Sequence, residues 1–98
     1  MVTYLGLIKS LDRNALTDYL SKVGHTVDLF GGKIAGRGQT FTPIWNELNC
    51  ESFDSFVEVC FDSFERAEEW AHSPQYQNLL PVRNKAMQVI FFGIDKKL

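Results

Sequence analysis

The hydrophobic positions change their period along the chain, and each change marks an element. Val2 to Ile8 is a mostly apolar run rich in valine, tyrosine and isoleucine, the length and content of a strand. Asp12 follows as a good helix N-cap. Leu16, Leu20, Val23, Val27 and Phe30 then recur at spacings of 4, 3, 4 and 3, which places them on one helical stripe. Gly24 is expected to loosen or break this helix near its middle. Gly31-Gly32 should end it, because glycine takes the left-handed C-terminal conformation without a Cβ clash. Lys33 to Phe41 reads as a second strand thinned by Gly36 and Gly38, a pattern that suggests a bulge or the close approach of another backbone or ligand. Thr42 to Asp54 is polar and contains Pro43, Asn46 and Asn49, so a continuation of the strand and then a loop are expected.

Ser55 to Phe61 reads as a third strand. Ser63 caps a short helix with Phe64, Ala67, Trp70 and Ala71 on one face. Ser73-Pro74 restarts the helix, with serine as cap and proline in the first helical position. Tyr76, Leu79 and Leu80 supply the apolar face, and Pro81 should force a kink or a second restart. Met87 to Ile94 is the fourth strand, and Lys96 to Leu98 should be disordered. The order β-α-β-β-α-β predicts an α+β protein of the ferredoxin-like plait, a four-stranded antiparallel sheet with both helices on one face.

The strands alternate poorly for a sheet with one wet face. Tyr4 and Ile8 oppose Leu5 and Leu7. Val57, Val59 and Phe61 oppose Phe56 and Cys60. Val89 and Phe91 oppose Ile90, Phe92 and Ile94. Helices cover one face only, so a homodimer through the other sheet face is expected, a dimeric α+β barrel. Glu58 should lie on that dimer side, with Arg37 as its cross-strand partner.

Ninety-eight residues make one domain, 1–98. Ten Lys and Arg against 12 Asp and Glu give a net charge of −2, without the basic stripe that nucleic-acid binding requires. The strand Phe56-Val57-Glu58-Val59 faintly echoes an RNA-recognition motif but lacks the basic residue and glycine–aromatic pattern ahead of it. No apolar run approaches the length of a membrane span. Cys50 and Cys60 fit no metal spacing and are expected to be unbridged, Cys60 in the core and Cys50 in an exposed loop. With no signal-peptide pattern at the N-terminus, a reducing cytoplasm is the expected compartment, with no metal or cofactor.

The residues Phe30-Gly31-Gly32-Lys33, the run Phe61-Asp62-Ser63-Phe64-Glu65-Arg66-Ala67 through Trp70, and Ser73-Pro74-Gln75-Tyr76-Gln77 through Arg83 resemble a known family. This is the group catalogued as domain of unknown function 1330, within the dimeric α+β barrel proteins. The resemblance covers nearly the whole chain and departs at Gln75, where the family usually carries Glu, and at Thr42 to Phe53. Other branches of that group include cofactor-free monooxygenases, haem-degrading enzymes and muconolactone isomerases. The resemblance therefore implies a pocket between helices and sheet for a small aromatic or carboxylated metabolite, with cofactor-free oxidation or isomerisation as the expected chemistry. A non-catalytic ligand-binding or assembly module is the alternative.

Five residues stand out as candidates. His25 beside Gly24 has the titration range of a general base, and equally that of a solvated surface histidine. Arg83 lies four residues after Leu79 and seven after Tyr76, on the same helical face. A guanidinium there must be paired or reach water, so it would clamp a carboxylate or enolate, or pair with a protein group. Trp70 and Tyr76 either pack the core or wall an aromatic pocket. Tyr19 has the same two readings, and its place at the edge of the first helical stripe would let its hydroxyl point into a cleft. His72 at a helix end suits a capping role. The string Gly31 to Gly38 fails as a phosphate loop, because it precedes a strand and lacks the Gly-Lys-Ser/Thr ending.

Overall fold

The turn from the first strand into the first helix is held at both ends. Asp12 is extended, and its carboxylate accepts from the Ala15 amide at 2.9 Å. The amides of Leu11 and Asp12 both donate to the Ala86 carbonyl. The computed structural model describes residues 1–39 and 42–95. Its elements are β1 (Val2–Ser10), α1 (Arg13–Leu29), β2 (Lys33–Gly38), β3 (Ser55–Phe61), α2 (Phe64–His72), α3 (Pro74–Gln77), α4 (Leu80–Ala86) and β4 (Met87–Ile94). The expected strand end at Phe41 and the tail Lys96 to Leu98 lie outside the described residues.

The sheet order is β2-β3-β1-β4, with every neighbouring pair antiparallel. β3 is therefore inserted between the parallel strands β1 and β2, the split βαβ arrangement of the ferredoxin-like plait. The helices cover one face. Their core includes Val27 and Phe61, each 1% exposed, and Ala86 at 0%. Tyr4 stacks on Phe91 at 5.1 Å between ring centroids, and Phe61 leans on Trp70 at 5.5 Å. On the other face Leu5, Leu7, Phe56 and Cys60 are half-buried, while Ile90, Phe92 and Ile94 are exposed.

α1 differs from its sequence pattern in two ways. Its buried positions are Ala15, Tyr19, Val23, Thr26 and Val27, whereas Leu16 is half-buried and Leu20 exposed. Tyr19 and Thr26 occupy core positions because their polar atoms are paired. Thr26 Oγ1 donates to the Val23 carbonyl at 2.7 Å and accepts from Trp70 Nε1 at 3.0 Å, and Tyr19 meets the Tyr76 hydroxyl. The helix also runs unbroken through Gly24, contrary to expectation. This turn packs against Ile34 of β2, and that packing offsets a propensity loss of about 1 kcal/mol.

α1 ends as the double glycine predicts. The Gly32 amide bonds to the Val27 carbonyl and the Gly31 amide to that of Asp28, a Schellman closure with Gly31 at φ 72°. Gly32 is required for a second reason: a Cβ there would stand 2.6 Å from the Phe61 ring and 2.8 Å from Val27. In the third helical region Pro81 falls in the first turn of α4, so the chain restarts there as expected.

Among the described residues, 42–54 are not a strand continuation. Pro43 lacks an amide donor, and Asn46 captures both the carbonyl and the amide of Cys50, at 2.9 and 3.0 Å. Asn49 sits at φ 60° in the turn that results. Both cysteines are free. Cys50 is exposed, but Cys60 lies on the open sheet face beside Thr3 rather than in the core. The expected Arg37–Glu58 pair is also absent. Ala35 is an extra residue in the β2–β3 ladder, so Gly36 opposes Glu58 and Arg37 opposes Val57. Glu58 is on the open face and Arg37 on the helix face.

Gly32→Ala should cost about 1–3 kcal/mol, since Phe61 is too buried to yield. Thermal denaturation should show a lowered Tm, and an unchanged Tm would refute the close approach of α1's end to β3.

Candidate functional site

α1 stands off from the sheet far enough to leave a cavity of about 860 Å³ between them. That volume suits a small organic ligand, for which pockets of about 300–1,000 Å³ are usual. Val23, Val27, Ile34, Val59, Trp70 and Phe91 make its interior apolar. Leu16 and Leu20 line it too, which explains why two leucines of the helical stripe are not fully buried in the core.

Three of the polar groups of the cavity form one hydrogen-bonded cluster. Ser73 caps α3 by accepting from the Tyr76 amide, with Pro74 opening the helix, and this sets Tyr76 over Trp70 at 4.3 Å between rings. The Tyr19 and Tyr76 hydroxyls are 2.9 Å apart, one brought by α1 and the other by α3. Arg83, one turn beyond Leu79 on α4, donates from Nη1 to the Tyr76 oxygen at 3.0 Å and lies over the Tyr76 ring. Among the described residues no carboxylate pairs with Arg83.

A proton count defines what this cluster lacks. The two phenols carry two hydroxyl protons, and the bond between them uses one. The Tyr76 oxygen also accepts from Arg83, so one phenol proton has no acceptor among the described residues. Burial, followed by the charge and hydrogen bond of Tyr76, holds the Tyr19 hydroxyl well above the usual phenol range, against the opposing pull of Arg83 and Arg37. The cluster therefore offers O–H and N–H donors and needs an oxygen to receive them.

The candidate residues divide accordingly. Tyr19, Trp70, Tyr76 and Arg83 all line the cavity. Trp70 spends its indole N–H on Thr26, so it contributes a wall rather than a donor. His25 is exposed on α1 and does not line the cavity, so it is not placed to act as base there. His72 is likewise exposed, with Nδ1 2.9 Å from the Glu68 carbonyl. Sequence reasoning missed Arg37, Ser10 and Asp54 at the cavity. The Asp54 carboxylate accepts from the Ser10 amide and hydroxyl at 2.8 Å each and from Ser55 at 3.0 Å, tying the end of the loop to β1.

A ferredoxin-like plait with a cavity between its helix layer and sheet is the class that this geometry defines. The chain belongs to the family described as domain of unknown function 1330, whose model matches residues 4–95. Its backbone is similar to the crystal structure of RPA0582, a protein of unknown function from Rhodopseudomonas palustris. The TM-score is 0.79 at 19% identity, over 99% of this chain and 82% of that one. A dimeric protein of unknown function and ferredoxin-like fold from Bacteroides fragilis matches with TM-score 0.59 and 12% identity, over 96% and 94%. SnoaB, a cofactor-independent oxygenase from Streptomyces nogalater, matches with TM-score 0.61 and 10% identity, over 99% and 93%. At these identities the likeness is one of fold. No curated protein matches the chain in sequence. No helix among the described residues is long and apolar enough to cross a membrane.

The hydrogen bonds from Ser10, the backbone one foremost, hold the Asp54 carboxyl below its ordinary value. A depressed folded value makes its contribution complete above the ordinary carboxylate range and lost as pH falls through the folded value. Hydrogen exchange should therefore show a protected Ser10 amide near neutrality that opens under acid. Asp54→Asn should lose much of that protection at neutral pH. Identical profiles for the two proteins would refute the anchor.

Proposed function

We propose that the cavity binds a small aromatic or carboxylated metabolite and that the protein is a homodimer through its open sheet face. One observation carries the ligand reading: an apolar cavity whose polar cluster has a guanidinium without a carboxylate and a phenol proton without an acceptor. Such groups are costly to hold in an apolar setting unless an oxygen of a ligand receives them. Donors fixed toward one oxygen also favour the enolate-like charge that develops in cofactor-free oxidation by dioxygen or in isomerisation, which makes either reaction the preferred chemistry. The likeness of fold to SnoaB, a cofactor-independent oxygenase, supports the same reading. In this role Arg83 and the two phenols bind and polarise the oxygen, and Trp70 forms the wall.

A non-catalytic ligand-binding module is the second reading, favoured by the position of His25 outside the cavity. Dimerisation is supported by the exposed row Ile90, Phe92 and Ile94 on a face that no helix covers, since monomers seldom expose such patches.

Titration calorimetry with 2-naphthol and 6-hydroxy-2-naphthoate tests the site. Arg83→Met should weaken both by about tenfold or more, the worth of one charge-assisted hydrogen bond, with little change in Tm. Unchanged binding would overturn the assignment of Arg83. A search for oxygen uptake or isomerised product with bound aromatic acids separates the enzyme from the module.

Sedimentation equilibrium at micromolar concentration should give about twice 11.2 kDa. A monomer under those conditions would remove the sheet-face dimer.

A further inference from the structure

We infer that Arg37 is a second anion-binding residue of the cavity and selects ligands that carry a carboxylate in addition to the oxygen received by Tyr76 and Arg83. This inference rests on reading the cavity as a ligand site. The ligand class it names is an aromatic hydroxy- or oxo-carboxylic acid.

The placement of Arg37 depends on one extra residue. Without the bulge at Ala35, strict alternation would put Arg37 on the same face as Glu58, where the two charges would neutralise each other. With it, Arg37 opposes Val57 on the helix face and lines the cavity. The glycines on either side of it face the open side of the sheet, opposite Glu58 and Phe56. A Cβ at Gly36 would meet nothing within 4 Å, and one at Gly38 would run into the Phe56 ring. Arg37 lines the cavity and is exposed enough to meet an entering ligand.

Among the described residues Arg37 makes no hydrogen bond and no ion pair. The nearby carboxylates are already committed: Asp12 caps α1, and Asp54 accepts from Ser10 and Ser55. Arg83 approaches the same space from α4, and both guanidinium groups act on the Tyr19 hydroxyl. Arg13, Arg37 and Arg83 all line the cavity, and among the described residues none of them is in an ion pair, which suits a ligand with more than one negatively charged or oxygen-bearing group. A planar guanidinium is well matched to a carboxylate, which it can engage through two parallel N–H bonds.

The test compares Arg37→Met with the wild type, using the full chain and two probes that differ in one group. 6-Hydroxy-2-naphthoate carries a hydroxyl and a carboxylate on one rigid body; 2-naphthol lacks the carboxylate and is uncharged at neutral pH. Arg37→Met should weaken 6-hydroxy-2-naphthoate by about tenfold and change 2-naphthol by less than about twofold. The wild-type preference for the acid should also fall as salt is added, and the variant should have lost that dependence. Equal effects on both probes, or no effect on either, would overturn the assignment to Arg37 while leaving the Arg83 result intact. Failure of the wild type to bind either probe would instead bring down the cavity reading, and this inference with it. Arg37 is exposed and has no partner among the described residues, so an unchanged Tm is expected and lost binding would not reflect misfolding.

Discussion

The hydrogen bond between the Tyr19 and Tyr76 hydroxyls ties α1 to α3 across the wall of the cavity. Both rings are buried, and a buried hydroxyl without a partner costs about 1–3 kcal/mol. The pair therefore sets the separation between α1 and α3, elements that carry few other contacts with each other. The two rings meet edge to face at 6.5 Å between centroids, with their hydroxyls in contact. The space left beneath α1 is the cavity. The same bond draws in Arg83, because the Tyr76 oxygen can accept a second donor. One polar contact thus lines the cavity and brings a cationic group to its side.

The legible parts of the chain were those where a local rule and the global fold agree. Gly31-Gly32 marked the end of α1 because a Schellman closure needs a left-handed residue at that point. Ser73-Pro74 marked α3 by its cap, and the 79-to-83 and 76-to-83 spacings put Arg83 beside Tyr76. Tyr19, Trp70, Tyr76 and Arg83 were recognised as candidates because aromatic and basic residues on an apolar helical face require either a partner or a ligand. The fold followed from element order, since a split βαβ arrangement accommodates that order in one sheet.

The illegible parts were those where a contact distant in sequence overrode a local preference. The helix through Gly24 survives because Ile34 packs on it, and no feature within the helix announces that contact. Thr26 is a core residue only because Trp70, 44 positions away, donates to it. His25 was attractive for its titration range alone; its position on α1 turns it to solvent, away from the cavity. Asp54 was hidden in a loop whose bonds to Ser10 depend on the β1–β3 pairing.

Arg37 shows the limit of period-2 reasoning most sharply. The glycines around it signalled a bulge, yet a bulge can be signalled without fixing which residue is doubled. A shift of one position exchanges the two faces of a strand for everything beyond it. On one face Arg37 would have been half of a surface ion pair, worth about 0–1 kcal/mol and of no consequence for ligands. On the other it adds a positive charge to an apolar cavity. β2 is an edge strand, bonded only to β3, so accommodating an extra residue disturbs a single ladder. The edge of the sheet is thus where this fold can change the chemistry of its cavity with least effect on its core.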